Sequence, residues 1–204
     1  MNIEELCKRS HDTAVAKGWY EDDGRSLGDE ICLFHSEVSE ALEVFRDPSR
    51  KFGEIWNSEG GKPEGFPIEL ADLLIRIGDT AEGRKLPVVR TLCNTTIAML
   101  GYGLEDFNTS FRKFFLDEAS GVATIPEMLG VIHVDLSKAY ENALESKLQR
   151  SKKQIAETVA WCLGWAMEHA GAMCRRFGWD LEAAVILKMA YNDTRPHRHG
   201  GKRV

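Results

Sequence analysis

The strongest constraint on this chain is the spacing of its apolar residues, which recur at steps of three and four. Leu27, Ile31, Phe34, Val38, Ala41, Leu42 and Phe45 form one such series, and Leu70, Leu74, Ile77 and Ala81 form another. Residues so spaced share one face of an α-helix. Little alternation at a step of two occurs anywhere, so the expected fold is all-α, a helical bundle. Two acid pairs interrupt the stripes, Glu37-x-x-Glu40 and Glu69-x-x-Asp72. Each pair points both carboxylates the same way, and like charges so placed repel by about 0.2–0.5 kcal/mol even in water. Four converging acids require a cation, and a divalent metal is the economical one.

The remaining helices follow from the same period and its punctuation. Residues 2–17 read as a first helix stopped by Gly18, with His11, Lys17, Trp19 and Tyr20 gathered at its end. Trp19 reads as a packing plug or as a stacking platform at a pocket mouth. A second helix begins near Ser26 and ends at Asp47-Pro48. Residues 47–65 form a long loop rich in Gly, Pro and charge, in which Arg50, Lys51 and Lys62, with Arg46 just before them, are available to polyphosphate. The next helix spans 64–84, where Asp79 either supports the acid cluster from outside or pairs with Arg76. Apolar helical segments follow over 86–100 and 104–118, the latter carrying Phe107, Phe111, Phe114 and Phe115. Helices over 125–148, 154–177 and 180–192 complete the chain.

A faint repeat links the two ends of this series. LFHSEVSEALE (33–43) over VIHVDLSKAYE (131–141) gives four identities in eleven, with Glu37 opposite Asp135 and Glu40 opposite Lys138. In the helix that follows, Glu157 is expected at a ligand position, and Ala160, three residues on, binds nothing. The second half therefore reads as a degenerate copy without its own metal, or as a coincidence between amphipathic helices. The expected organisation is a metal-binding half, 1–104, and a second helical half, 105–204, packed as one domain.

Composition narrows the function. A formal net charge of −6 on 204 residues argues against a stable nucleic-acid partner, since affinity there rests on neutralising phosphates. No run approaches the roughly 18 apolar residues of a membrane span, and the first residues lack a signal-peptide pattern, so a cytoplasmic protein is expected. Cys7, Cys32, Cys93, Cys162 and Cys174 show no Cys-x-x-Cys and read as reduced core or boundary thiols. Glycine-rich phosphate loops and zinc spacings are absent, and neither acid pair carries the His of a di-iron bundle. Carboxylates alone suit Mg²⁺, with Mn²⁺ possible, and Mg²⁺ takes its remaining ligands from water and substrate phosphates.

HSEVSEALEVFR followed by PEGFPIELADLLIRIGD resembles the Glu-x-x-Glu and Glu-x-x-Asp core of the MazG-type all-α nucleoside triphosphate pyrophosphohydrolases, whose relatives include dimeric dUTPases and dCTP pyrophosphatases. The ending KMAYNDTRPHRHGGK resembles the close of MazG-like proteins. The resemblance implies Mg²⁺-dependent cleavage of a (d)NTP between its α and β phosphates, giving (d)NMP and pyrophosphate as nucleotide-pool house-cleaning. It implies Glu37, Glu40, Glu69 and Asp72 as metal ligands, with Glu37 or Glu40 also acting on the attacking water. It implies Lys188 and Arg195 on phosphate, Asn192 on sugar or phosphate, and His11, Trp19 and His35 as candidates for the base. A homodimer or homotetramer is implied as well. A base-specific dUTPase or dCTPase is the alternative enzyme, and a catalytically silent nucleotide-binding helical module is the alternative of another class.

Overall fold

The computed structural model describes residues 1–21, 25–88, 124–145 and 151–201, and these are overwhelmingly helical. Six helices carry the fold: α1 (Ile3–Ala16), α2 (Leu27–Arg46), α3 (Phe66–Gly83), α4 (Ile125–Glu145), α5 (Lys152–Arg176) and α6 (Leu181–Thr194). The start signals in the sequence act as caps. Asn2 accepts from the backbone N–H of Glu5 at 2.8 Å, and Asp180 from that of Ala183 at 2.9 Å. Ser26 with Asp29, and Ser151 with Gln154, form reciprocal capping boxes at α2 and α5. Each cap satisfies amide donors that a helix start leaves open.

The expected loop over 47–65 contains a departure, a small antiparallel hairpin of β1 (Trp56–Asn57) and β2 (Pro63–Glu64). Gly65 follows at φ 133°, where a Cβ would lie 2.3 Å from the Glu54 carbonyl oxygen, so only glycine fits this entry to α3. Pro67 sits in the first turn of α3, where its missing N–H is not needed.

Helix α3 is the centre of the bundle. Phe66, Ile68, Leu70, Leu73, Leu74 and Ile77 are fully buried, and α1, α2, α5 and α6 all pack against it. Burying each such side chain stabilises by about 1.5–3 kcal/mol before entropy is subtracted. At Gly78 a Cβ would sit 3.2 Å from Cys7 Cα, so the absent side chain is what lets α1 approach α3 closely. Helices α2 and α3 run antiparallel: Glu30 accepts from Arg84 Nε, and seven residues on Glu37 accepts from Arg76 Nε, both at 2.5 Å.

Helices α4 and α5 form a second antiparallel pair, and α4 lies against α2. There His35 and His133 meet, Nδ1 to Nδ1 at 2.7 Å with nearly parallel rings. These are the two histidines that the sequence repeat aligns. The boundary expected at residue 104, the segments over 89–100 and 104–118, and Cys93 lie outside the described residues. Cys7 and Cys174 are core thiols and Cys162 is half-buried, whereas Cys32 is exposed, contrary to expectation. No described helix is long and apolar enough to cross a membrane.

Candidate active site

The acid pairs come together across the α2–α3 interface. Glu37 and Glu69 are buried and Glu40 is exposed, and the three offer carboxylate oxygens within 4.8 Å of one another. Burial pushes the Glu37 carboxyl up to about 7, with Arg76 opposing the shift and Asp72 and Glu40 adding to it. Burial pushes Glu69 further, to about 8, with Lys188 opposing and the same neighbouring acids adding. Glu69 Oε2 is buried and has no hydrogen-bond partner among the described residues. An orphaned buried oxygen amid oxygen-only donors fits a hard divalent cation held by Glu37, Glu40 and Glu69.

Asp72 stands differently from the other three. Its Oδ2 lies 2.7 Å from the ammonium of Lys188, a side chain that is 1% exposed. A lysine so buried keeps its charge only beside a partner. The expectation of Lys188 as an open phosphate contact is thus modified, because α6 delivers its ammonium to Asp72. Asp72 itself stays on the cleft wall with its second oxygen uncommitted by that contact.

A cleft of about 480 Å³ opens beside this cluster. At one end stand Glu37, Glu40, Asp72, Arg76, Lys62 and Arg195; towards the other are Trp19, Arg25, Asp79, Ser10 and His199. Asn192 lines it as well, with its Oδ1 buried and without a hydrogen-bond partner among the described residues. Thus Glu37, Glu40, Asp72, Trp19, Asn192 and Arg195 share one cavity, although 176 residues separate Trp19 from Arg195 in the chain. Of the loop cations only Lys62 lines it. Arg46 pairs with Glu43, and Arg50 lies over the Trp56 ring at 4.6 Å.

Two of the base candidates are placed elsewhere. His35 is not on the cleft wall; it faces His133, and its neighbours Leu33 and Ser36 line the cleft instead. His11 lies with its Nδ1 3.0 Å from Asp79 Oδ1, outside the lining. Asp79 also accepts from Tyr20 Oη and from Arg25 Nη2, each at 2.6 Å. It therefore neither supports the acids nor pairs with Arg76. It ties the end of α1 and the entry of α2 to α3, while Arg76 pairs with Glu37.

The C-terminal segment completes the cavity. Arg198 donates its backbone N–H to the Lys17 carbonyl at 2.9 Å and its Nε to the Gly18 carbonyl at 3.0 Å. Arg198 and His199 adopt positive φ, 44° and 51°, and the His199 ring meets Trp19 edge-on at 5.1 Å. Sequence reasoning does not single out Ser10, Arg25, Arg76 or His199 as site residues. Arg76 has a signal, since it stands four residues after Asp72 on the same helix face. The others reach the cleft only through contacts between distant segments.

Among the described residues, the α4–α5 pair keeps one acid of the four at the positions the repeat aligns. Asp135, opposite Glu37 in the repeat, lies 2.7 Å from His169 Nδ1, much as Glu37 meets Arg76. With His169 in register with Arg76, Cys162 and Trp165 take the places of Glu69 and Asp72. In that register the counterparts lie more than a helical turn from Glu157 and Ala160, the positions expected from the sequence. No family model, curated protein or solved structure matches this chain.

Proposed function

We propose that this chain is a Mg²⁺-dependent nucleoside triphosphate pyrophosphohydrolase of MazG-like type, cleaving a (d)NTP between its α and β phosphates. The observation that carries the reading is the meeting of Glu37, Glu40 and Glu69 at the edge of a cleft that also holds Arg76, Arg195, Lys62 and an indole. Acids that gather oxygens for a cation, beside cations that gather oxygens of a polyanion, suit a metal-bound triphosphate. Bound Mg²⁺, or Mn²⁺ in its place, would polarise phosphoryl oxygens and acidify water.

The residues divide the remaining work. Glu40 is exposed and has room to accept a proton from the attacking water, with Glu37 as its neighbour one turn away. Arg76 holds Glu37 in place, and Lys188 does the same for Asp72. Arg195 offers a planar fork to phosphate oxygens, and Lys62, paired with Glu64 at 3.0 Å, a point charge. Asn192 contributes an acceptor at the wall for sugar or phosphate, and Trp19 a face or edge for the base. The hairpin of α4 and α5 is a degenerate second copy, with Lys138, Cys162 and Trp165 standing where Glu40, Glu69 and Asp72 stand in the first. In support of this, His35 and His133 are equivalent in the repeat and touch each other, as residues on a local two-fold axis do.

Purified protein with Mg²⁺ and a panel of normal and damaged dNTPs tests the reading. Release of pyrophosphate is expected, with loss of at least about 100-fold in kcat for Glu40→Gln. Asp72→Asn is expected to lose activity as well. Orthophosphate as the product would exclude α–β cleavage. Nucleotide binding without turnover would favour the silent module. A marked preference for dUTP or dCTP would favour the base-specific enzyme. Light scattering on the same sample tests the homodimer or homotetramer that the resemblance implies.

A further inference from the structure

One polar side chain in the cleft has no structural employment. Ser10 is 3% exposed and lines the cavity, yet its Oγ makes no hydrogen bond to any described residue. A serine inside a helix ordinarily returns its hydroxyl to the carbonyl one turn back. Here it does not, and an unpaired buried hydroxyl destabilises the free protein. Nearby polar groups are otherwise engaged: Asp79 accepts from Arg25 and Tyr20, and Thr13 donates to Asp193.

Its position along the site is defined by α3. Ser10 Oγ lies 3.5 Å from where a Cβ on Gly78 would stand. Gly78 is six residues beyond Asp72 and nine beyond Glu69, which at 1.5 Å per residue is about 9 Å and about 14 Å along the helix. A nucleotide whose phosphates lie at the acids and whose base lies by Trp19 brings the base, not the phosphates, to this depth. Resting on the function proposed above, we propose that Ser10 is a specificity-determining contact: its hydroxyl hydrogen-bonds a polar edge atom of the nucleobase. The ligand is then a nucleotide selected by the hydrogen-bonding edge of its base as well as by its triphosphate. A site built to bond a polar edge rejects an analogue lacking it, because the hydroxyl is then left unpaired.

The test compares wild type with Ser10→Ala by calorimetry, in Mg²⁺. The ligands, made as α,β-imido triphosphates that the proposed reaction cannot cleave, carry either the tightest-binding natural base or a non-polar isostere of it. Ser10→Ala is expected to weaken the natural nucleotide about tenfold, to leave the isostere's affinity unchanged, and to hold or raise Tm. Three results would each overturn the contact: unchanged affinity for the natural nucleotide, equal weakening of both ligands, or a lowered Tm, which would mark the hydroxyl as structural. Wild type that binds nucleotide but releases no pyrophosphate would defeat the proposed reaction and leave the Ser10 contact to be decided by the same affinities. Wild type that binds no nucleotide would defeat both.

Discussion

At the scale of single residues, Glu37 and Glu69 set the behaviour of the site. Burial raises both carboxyls above the ordinary 4.5, to about 7 and about 8. A carboxyl raised in the folded state favours the protonated form there. Its contribution to stability is full below pH 4.5 and is lost as pH climbs through the folded value. Metal-free protein should therefore lose thermal stability between pH 5 and roughly 8. A divalent cation reverses the preference by stabilising the charged acids. Added Mg²⁺ is accordingly expected to raise Tm more at pH 8 than at pH 6, and scanning fluorimetry at the two values would show it. Asp79 is a buried acid held by His11, Tyr20 and Arg25. Asp79→Ala leaves the Arg25 guanidinium and Tyr20 hydroxyl without it and is expected to cost about 3–5 kcal/mol. Chemical denaturation would measure that loss.

At the scale of elements, the α2–α4 contact carries its own titration. Burial lowers the pKa of both His35 and His133, and the His133 ring further disfavours charge on His35. A histidine whose folded pKa is depressed keeps its full contribution above the unfolded value of 6.5. It loses that contribution as pH falls through the folded one. The contribution of this pair should thus decline on acidification below about pH 6.5, so the difference between wild type and His133→Asn in pH-resolved melting curves should shrink or reverse there. The hairpin of α2 and α3 is legible in the sequence alone, because helical period, caps and the Asp47-Pro48 stop are local signals. The partner of each acid is not. In the sequence Arg76 is a candidate partner for Asp79 and Lys188 a candidate phosphate contact, and only helix packing turns one toward Glu37 and the other toward Asp72.

At the scale of the whole molecule, the cavity is assembled from both ends of the chain. Arg195 reaches it at the end of α6, which packs on α3, and His199 because its neighbour Arg198 bonds to the carbonyls of Lys17 and Gly18. Ending the chain after Thr194 is expected to leave helix content by circular dichroism nearly unchanged. The same truncation should raise KM for a nucleoside triphosphate at least about tenfold, since one charge-assisted phosphate contact is worth that much. By itself the sequence determined the all-α class, most helix limits and the placing of each acid pair on its own helix, because periodicity, capping and the i, i+3 relation act between neighbours along the backbone. Tertiary structure alone decided that His35 packs against His133, that His11 serves Asp79, that Lys188 is buried on Asp72, and that Ser10 and His199 line the cleft. Those outcomes depend on which helix faces meet across large chain separations, and no local pattern encodes a meeting of that kind.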